Sequence, residues 1–160
     1  MSAAALALLL QVNPEYRYWA EQKPGAWVRM KISSHQDGMA FEGDVKAKLV
    51  SISGERATVE RTTRMKIGAR DVEETRREDV KAAEDKKIVR ESDVELKIGE
   101  RTLKCRLIEM KQDQGKVKMD VKWWASPEIP GGLARLEMIP EGAEKPIITM
   151  VAVEWGTATK

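Results

Sequence analysis

The sequence predicts a mainly β domain: a curled antiparallel meander of about eight strands, forming an open barrel, with one short N-terminal helix. Apolar and charged residues alternate along most of the chain, as they do in strands with one buried and one solvated face. Short connections rich in Gly, Asp and Ser separate these stretches and favour hairpins. Such a sheet must curl, because strands twist and a broad apolar face does not stay in water.

The helix is predicted near the N-terminus, over Asn13–Gln22. Asn13 is a favoured cap and Pro14 suits the first helical position. Trp19 then lies on the apolar face of the helix, and Pro24 ends it.

The strands are predicted from eight alternating runs, and two of these runs carry further local signals. They are residues 26–32, 41–52, 57–67, 94–98, 103–110, 117–123, 133–139 and 147–155. The apolar positions change phase between Leu49 and Val50, which predicts a β-bulge. The last run is apolar on both faces, so we expect it in the centre of a layered structure or under the helix.

The segment from Arg70 to Asp93 interrupts the alternation with charges of both signs. A long exposed hairpin and a short polar helix around 77–86 are two alternatives. The scarcity of apolar residues favours a third, a mobile excursion with little packing.

A chain of 160 residues predicts one domain, which we place at 13–160. Residues 1–12 contain the apolar run Ala3–Leu10, which is too short to span a bilayer. The run is typical of the apolar part of a secretory signal without its basic beginning, and the alternative is a hydrophobic first turn packed on the domain. The first alternative predicts a periplasmic or secreted protein. No other segment is apolar enough to be transmembrane.

Composition excludes several function classes. The net charge is only +2, from 28 basic and 26 acidic residues, so we expect no nucleic-acid partner. The single cysteine, Cys105, excludes an intramolecular disulfide, and its alternating surroundings predict a buried thiol. The single histidine, His35, lies in a turn, a poor place for a catalytic base. We therefore expect neither an enzyme nor a metal or cofactor site.

Two adjacent indoles, Trp123 and Trp124, mark the candidate ligand-binding region. Successive strand residues point to opposite faces, so the two cannot share one core. Methionines on several strands would give an adaptable apolar wall, although methionine also fills gaps in a small core. The predicted ligand-binding residues are Met30, Met65, Met119, Trp123, Trp124, Leu133 and Met138. The predicted loop gate is Pro130, Gly131 and Gly132.

The late turn Trp-x-Ser-Pro-x-x-Pro-Gly-Gly-Leu at 124–133, together with the helix and the meander, resembles a group of uncharacterised exported bacterial proteins. More distantly, the layout is similar to the periplasmic lipoprotein-localisation carriers (LolA- and LolB-like proteins). That resemblance implies an unclosed barrel whose concave face holds acyl chains under a helical lid. The chain departs from these carriers in two respects: Cys105 is internal, and the charged segment 70–93 replaces the lid helices.

The expected function is therefore non-enzymatic binding of a lipid or other apolar moiety, such as a lipoprotein acyl chain, on the concave face of the barrel in the cell envelope. The alternative is an envelope protein-interaction or scaffold domain with a filled core and no ligand. A contiguous apolar cavity would favour the first function, and a solid core the second.

Overall fold

The computed structural model describes residues 14–36, 38–67, 69–82, 87–114 and 116–157, and these residues form nine strands and one helix. The helix is α1 (Pro14–Ala20). The strands are β1 (Trp27–Gln36), β2 (Met39–Ser53), β3 (Arg56–Ile67), β4 (Arg70–Lys81), β5 (Lys87–Ile98), β6 (Arg101–Gln114), β7 (Val117–Ala125), β8 (Leu133–Pro140) and β9 (Ile148–Gly156). The predicted fold class is confirmed, with nine strands in place of about eight.

All nine strands belong to one antiparallel sheet with the order β4-β3-β2-β1-β9-β8-β7-β6-β5. The first and last strands of the chain pair at its centre, with Val28 opposite Trp155 and Ile32 opposite Met150. The sheet is not closed: within the described residues, β4 and β5 are edge strands with no pairing between them. The last run, β9, therefore lies at the centre of the strand order, although Ala152 is its one fully buried residue.

The sheet curls, and the length of the chain between its two edges requires this. Six Cα–Cα steps join the end of β4 at Lys81 to the start of β5 at Lys87, which allows at most about 21 Å. Nine flat strands would hold the two edges about 38 Å apart. In agreement, one buried cluster contains both Val80 of β4 and Leu103 of β6.

Helix α1 is part of the core of this curled sheet. Trp19 is 1% exposed and belongs to the larger buried cluster, together with Met30 of β1 and Leu49 of β2. Tyr16 donates a hydrogen bond from its hydroxyl to the carbonyl oxygen of Gly54, in the β2–β3 turn, at 3.2 Å. The helix is shorter than predicted, and the proposed cap at residue 13 lies outside the described residues.

The expectation of a mobile excursion over 70–93 is wrong, because β4 pairs with β3 along its whole length. All residues of β4 except Val80 are exposed, which explains why no apolar alternation marks the strand. Cross-strand ion pairs hold it instead, Arg64 to Glu73 at 2.8 Å among them. Charged side chains also suit an edge strand, because they discourage pairing with other chains. Residues 83–86 lie outside the described residues.

The β-bulge predicted near Leu49 is confirmed. The register between β2 and β3 shifts between Leu49 and Ser51, so that Val50 has no partner in the ladder. Leu49 keeps its side chain fully buried, whereas the strand beyond the bulge presents Ile52 opposite Ala57. The extra residue therefore lets both apolar sets face the core.

We expect Trp19→Ala to lower the free energy of unfolding by about 3–5 kcal/mol, because it removes the largest fully buried side chain of the helix. Urea denaturation followed by circular dichroism measures the change. Arg17→Ala is the control, since Arg17 is exposed on the same helix, and it should change stability by less than about 0.5 kcal/mol. Small and equal effects of both substitutions would show that α1 is not part of the cooperative core.

Candidate functional site

A cavity of about 260 Å³ lies between α1, the sheet and the connection from β7 to β8. Most of its wall is apolar and comes from the central strands. The wall residues on these strands include Val28, Met30, Val121, Trp123, Leu136 and Met150. The volume lies just below the range of about 300–1,000 Å³ that is usual for ligand pockets, so the cavity suits one small guest or one chain end.

A larger groove of about 750 Å³ lies over β1 to β4, and its chemistry differs. Charged side chains of both signs dominate its lining: Lys31, Glu42, Asp44, Arg64, Lys66, Asp71 and Glu73. Such a surface is well hydrated, and its apolar residues, Ile32, Met65 and Val72, lie among charged ones. We therefore take the smaller apolar cavity as the candidate site.

One side of the cavity is polar, and an ion-pair network occupies it. Arg61 forms an ion pair with Glu15 and donates a second hydrogen bond to Glu78, with 2.9 Å between Nε and Oε2. Burial would lower the pKa of the Arg61 guanidinium, but the carboxylates of Glu15 and Glu78 outweigh it and raise that pKa above its ordinary value. Arg61 is therefore a permanent cation, and its guanidinium is already paired with two carboxylates.

Two indole N–H groups belong to the cavity wall, and they differ in their partners. Trp19 donates from Nε1 to a carboxylate oxygen of Glu15 at 3.2 Å. Trp123 is 6% exposed, and its Nε1 is buried without a hydrogen-bond partner among the described residues. A buried donor without an acceptor costs about 1–3 kcal/mol, so this atom needs an explanation in the function of the cavity.

The connection from β7 to β8, which we call the 126–132 loop, closes the cavity against α1. Three backbone hydrogen bonds within it staple the loop, among them Gly132 N to Ile129 O at 2.8 Å. Gly131 has a φ of 78°, and a Cβ placed on it would lie 2.6 Å from the Trp19 ring. Glycine is therefore required at Gly131 both for its backbone conformation and for its contact with the helix.

The structure brings half of the predicted site residues to the cavity. The residues that line it are Met30, Trp123, Leu133, Pro130 and Gly131. Those outside its lining are Met65, Met119, Trp124, Met138 and Gly132. Trp124 instead stacks against Arg135, with the guanidinium carbon 5.6 Å from the ring centre. A role for these outlying residues in ligand binding stays a prediction.

Sequence reasoning missed several lining residues, and for some of them a signal was present. Val28 and Val121 lie two positions from Met30 and Trp123 on the same strands, so alternation places them on the same face. Glu15 had no such signal. Its place in the cavity depends on Arg61, which is 46 residues away in sequence.

The thiol and the possible metal ligands of the described residues are the remaining reactive groups. Cys105 is buried, and its burial, assisted by the nearby carboxylate of Glu128, raises the pKa of the thiol. Among the described residues, no group of three His, Cys, Asp or Glu side chains could hold a metal ion. No helix in the described part of the chain is long and apolar enough to cross a membrane.

Comparisons of the sequence with protein-family models and with curated proteins give no match. The cavity and its chemistry are therefore the basis for the function proposed below.

We expect Gly131→Ala to destabilise the protein more than Gly142→Ala. Both glycines have positive φ, 78° and 84°, so each substitution carries about 1–2 kcal/mol of backbone strain. Only Gly131 also meets the Trp19 ring, whereas nothing lies within 4 Å of a Cβ on Gly142. The contact should add about 1–3 kcal/mol to the unfolding free energy lost, measured by urea denaturation. Equal losses would mean that the loop does not press on the helix.

We expect Cys105 to react with iodoacetamide more than about tenfold more slowly in the folded protein than in urea at the same pH. The thiol is 5% exposed, and a raised pKa leaves less thiolate at any pH below that value. Mass spectrometry of the alkylated chain over time measures both rates. Similar rates in the two states would contradict the buried, protonated thiol.

Proposed function

We propose that this protein is a non-enzymatic binding domain for a lipid or other apolar moiety, which it holds on the concave face of its open barrel. The observation that carries the proposal is the apolar cavity of about 260 Å³ under α1 and the 126–132 loop. Its wall combines Trp123 with Met30 and Met150, and flexible thioether chains adapt to guests of different shape.

The driving force would be the removal of apolar surface from water, at about 25 cal/mol per Å². The guest enters a space that the central strands have already formed, so little ordering of the protein opposes binding. The size of the cavity favours a single acyl chain end over a whole phospholipid.

The proposed setting is the cell envelope. The apolar run at 3–10 supports it, because such a run is typical of exported proteins. The 126–132 loop and α1 meet at the contact between Gly131 and Trp19, both of which line the cavity, so movement of the loop there would change access to it.

The test begins with native mass spectrometry of the gently purified protein, followed by solvent extraction and lipid analysis. A discrete additional mass that extracts as a lipid is the expected result. A titration with a fluorescent acyl probe then compares two variants with the same chemical change. Met150→Gln places an amide in the cavity wall and should weaken binding by about tenfold. Met138→Gln is the control, because Met138 does not line the cavity.

A protein with no added mass and no uptake of the acyl probe would refute the proposed function. Equal weakening by both glutamine variants would also count against this cavity as the site. The urea midpoints of both variants must stay close to that of the wild type for either comparison to hold.

An envelope protein-interaction domain is the second candidate, and the free edge at β5 favours it. Val89 on this strand is 63% exposed, and the outer side of an edge strand offers unpaired backbone groups to a partner chain. Charge substitution at Val89 should abolish capture of such a partner without changing binding of the acyl probe.

A further inference from the structure

We propose that the guest carries a neutral hydrogen-bond acceptor, the carbonyl oxygen of an ester or amide, and that Trp123 Nε1 donates a hydrogen bond to it. This inference rests on the proposed function and specifies the chemical class of the guest. It distinguishes an esterified or amide-linked acyl chain from a free fatty acid and from a plain hydrocarbon.

The buried N–H of Trp123 is the first observation. Trp123 lines the cavity, is 6% exposed, and has no acceptor for its Nε1 among the described residues. Nε1 itself is buried, whereas other atoms of Trp123 line the cavity, so an acceptor on a guest reaches the N–H when a neighbouring side chain gives way. Met110 packs against the cluster that contains Trp123, and Met110 and Met150 both line the cavity; thioether side chains yield readily when a guest enters.

The second observation is the contrast with Trp19 in the same wall. The Trp19 N–H is already bound to the Glu15 carboxylate at 3.2 Å, so it has no need of a ligand. Of the two indole donors in the cavity wall, that of Trp19 has an acceptor and that of Trp123 has none among the described residues. A guest that supplies an acceptor at Trp123 removes the cost of an unpaired buried N–H, and a hydrocarbon does not.

The third observation concerns charge. A free carboxylate on the guest would need a cation, and Arg61 is the cation of the cavity lining. Its guanidinium already contacts Glu15 and Glu78, so a further anion would meet two carboxylates as well. The polar side of the cavity consequently disfavours an anionic headgroup, whereas a neutral carbonyl avoids this repulsion.

The experiment compares three probes of similar length: methyl hexanoate, hexanoate and nonane. Spectra of ¹⁵N-labelled wild-type protein resolve its five tryptophan indoles, and each probe is titrated into them. Methyl hexanoate should move the Trp123 indole proton downfield and leave that of Trp19 nearly unchanged. Nonane should bind without this downfield shift, and hexanoate should bind at least about tenfold more weakly than its ester.

Trp123→Phe provides the second arm, since it removes the donor and keeps an aromatic ring. It should weaken methyl hexanoate binding by about tenfold more than it weakens nonane binding, because only the ester loses a hydrogen bond. If the variant does not fold, the shift of the wild-type indole decides the question by itself.

The outcomes separate this inference from the proposed function. Binding of the ester and the alkane with equal affinity, with the Trp123 indole proton unmoved, would overturn the acceptor and leave apolar binding intact. Hexanoate binding as tightly as its ester would overturn the preference for a neutral guest. Failure of all three probes to bind would refute the proposed function itself.

Discussion

Helix α1 touches the curled sheet on one side and the 126–132 loop on the other, and the concave interior is organised around that double contact. On the first side, Glu15 pairs with Arg61 of β3 and the Tyr16 hydroxyl bonds the β2–β3 turn. On the second side, the Trp19 ring lies against Gly131, where a side chain would not fit. The helix thus joins β3 and the β2–β3 turn to the loop between β7 and β8. The cavity is the space that remains unfilled between α1 and the central strands.

The partners of the polar groups in the interior also depend on the position of α1. Placing Glu15 over β3 brings a carboxylate to Arg61 and to the Trp19 indole at once. Trp123 belongs to the smaller buried cluster with Ile108 and Ala125, and its indole N–H has no partner in this network. The indole N–H of Trp19 is therefore paired with a carboxylate, whereas the buried indole N–H of Trp123 has no acceptor among the described residues.

Alternation along strands predicted well which face of the sheet each side chain lies on. It could not predict the height of a side chain, meaning its position along the barrel axis. Met119 and Met138 share the alternation of the lining residues Trp123 and Leu136 on their own strands, yet both lie outside the cavity lining. Height depends on register and on the position of the helix, which are non-local. The same limit explains β4: its pairing depends on β3 side chains such as Arg64, and no local apolar pattern records that. The bulge at Leu49 and the short helix were predictable because each leaves a local signal, a phase change in one case and Pro14 with its acidic neighbour in the other.

The pairing of β1 with β9 at the centre of the sheet has a kinetic consequence. Trp27 lies opposite Gly156, so the middle of the sheet joins residues from nearly opposite ends of the described chain. Contacts with so large a separation in sequence slow folding, because a long loop must close before they form. Until β9 arrives, β1 and β8 both present unpaired edges, and these are the strands on which Met30 and Leu136 sit. A chain in which β9 has not yet paired would therefore expose two aggregation-prone edges beside the cavity wall, so the arrival of β9 is the step that protects the sheet.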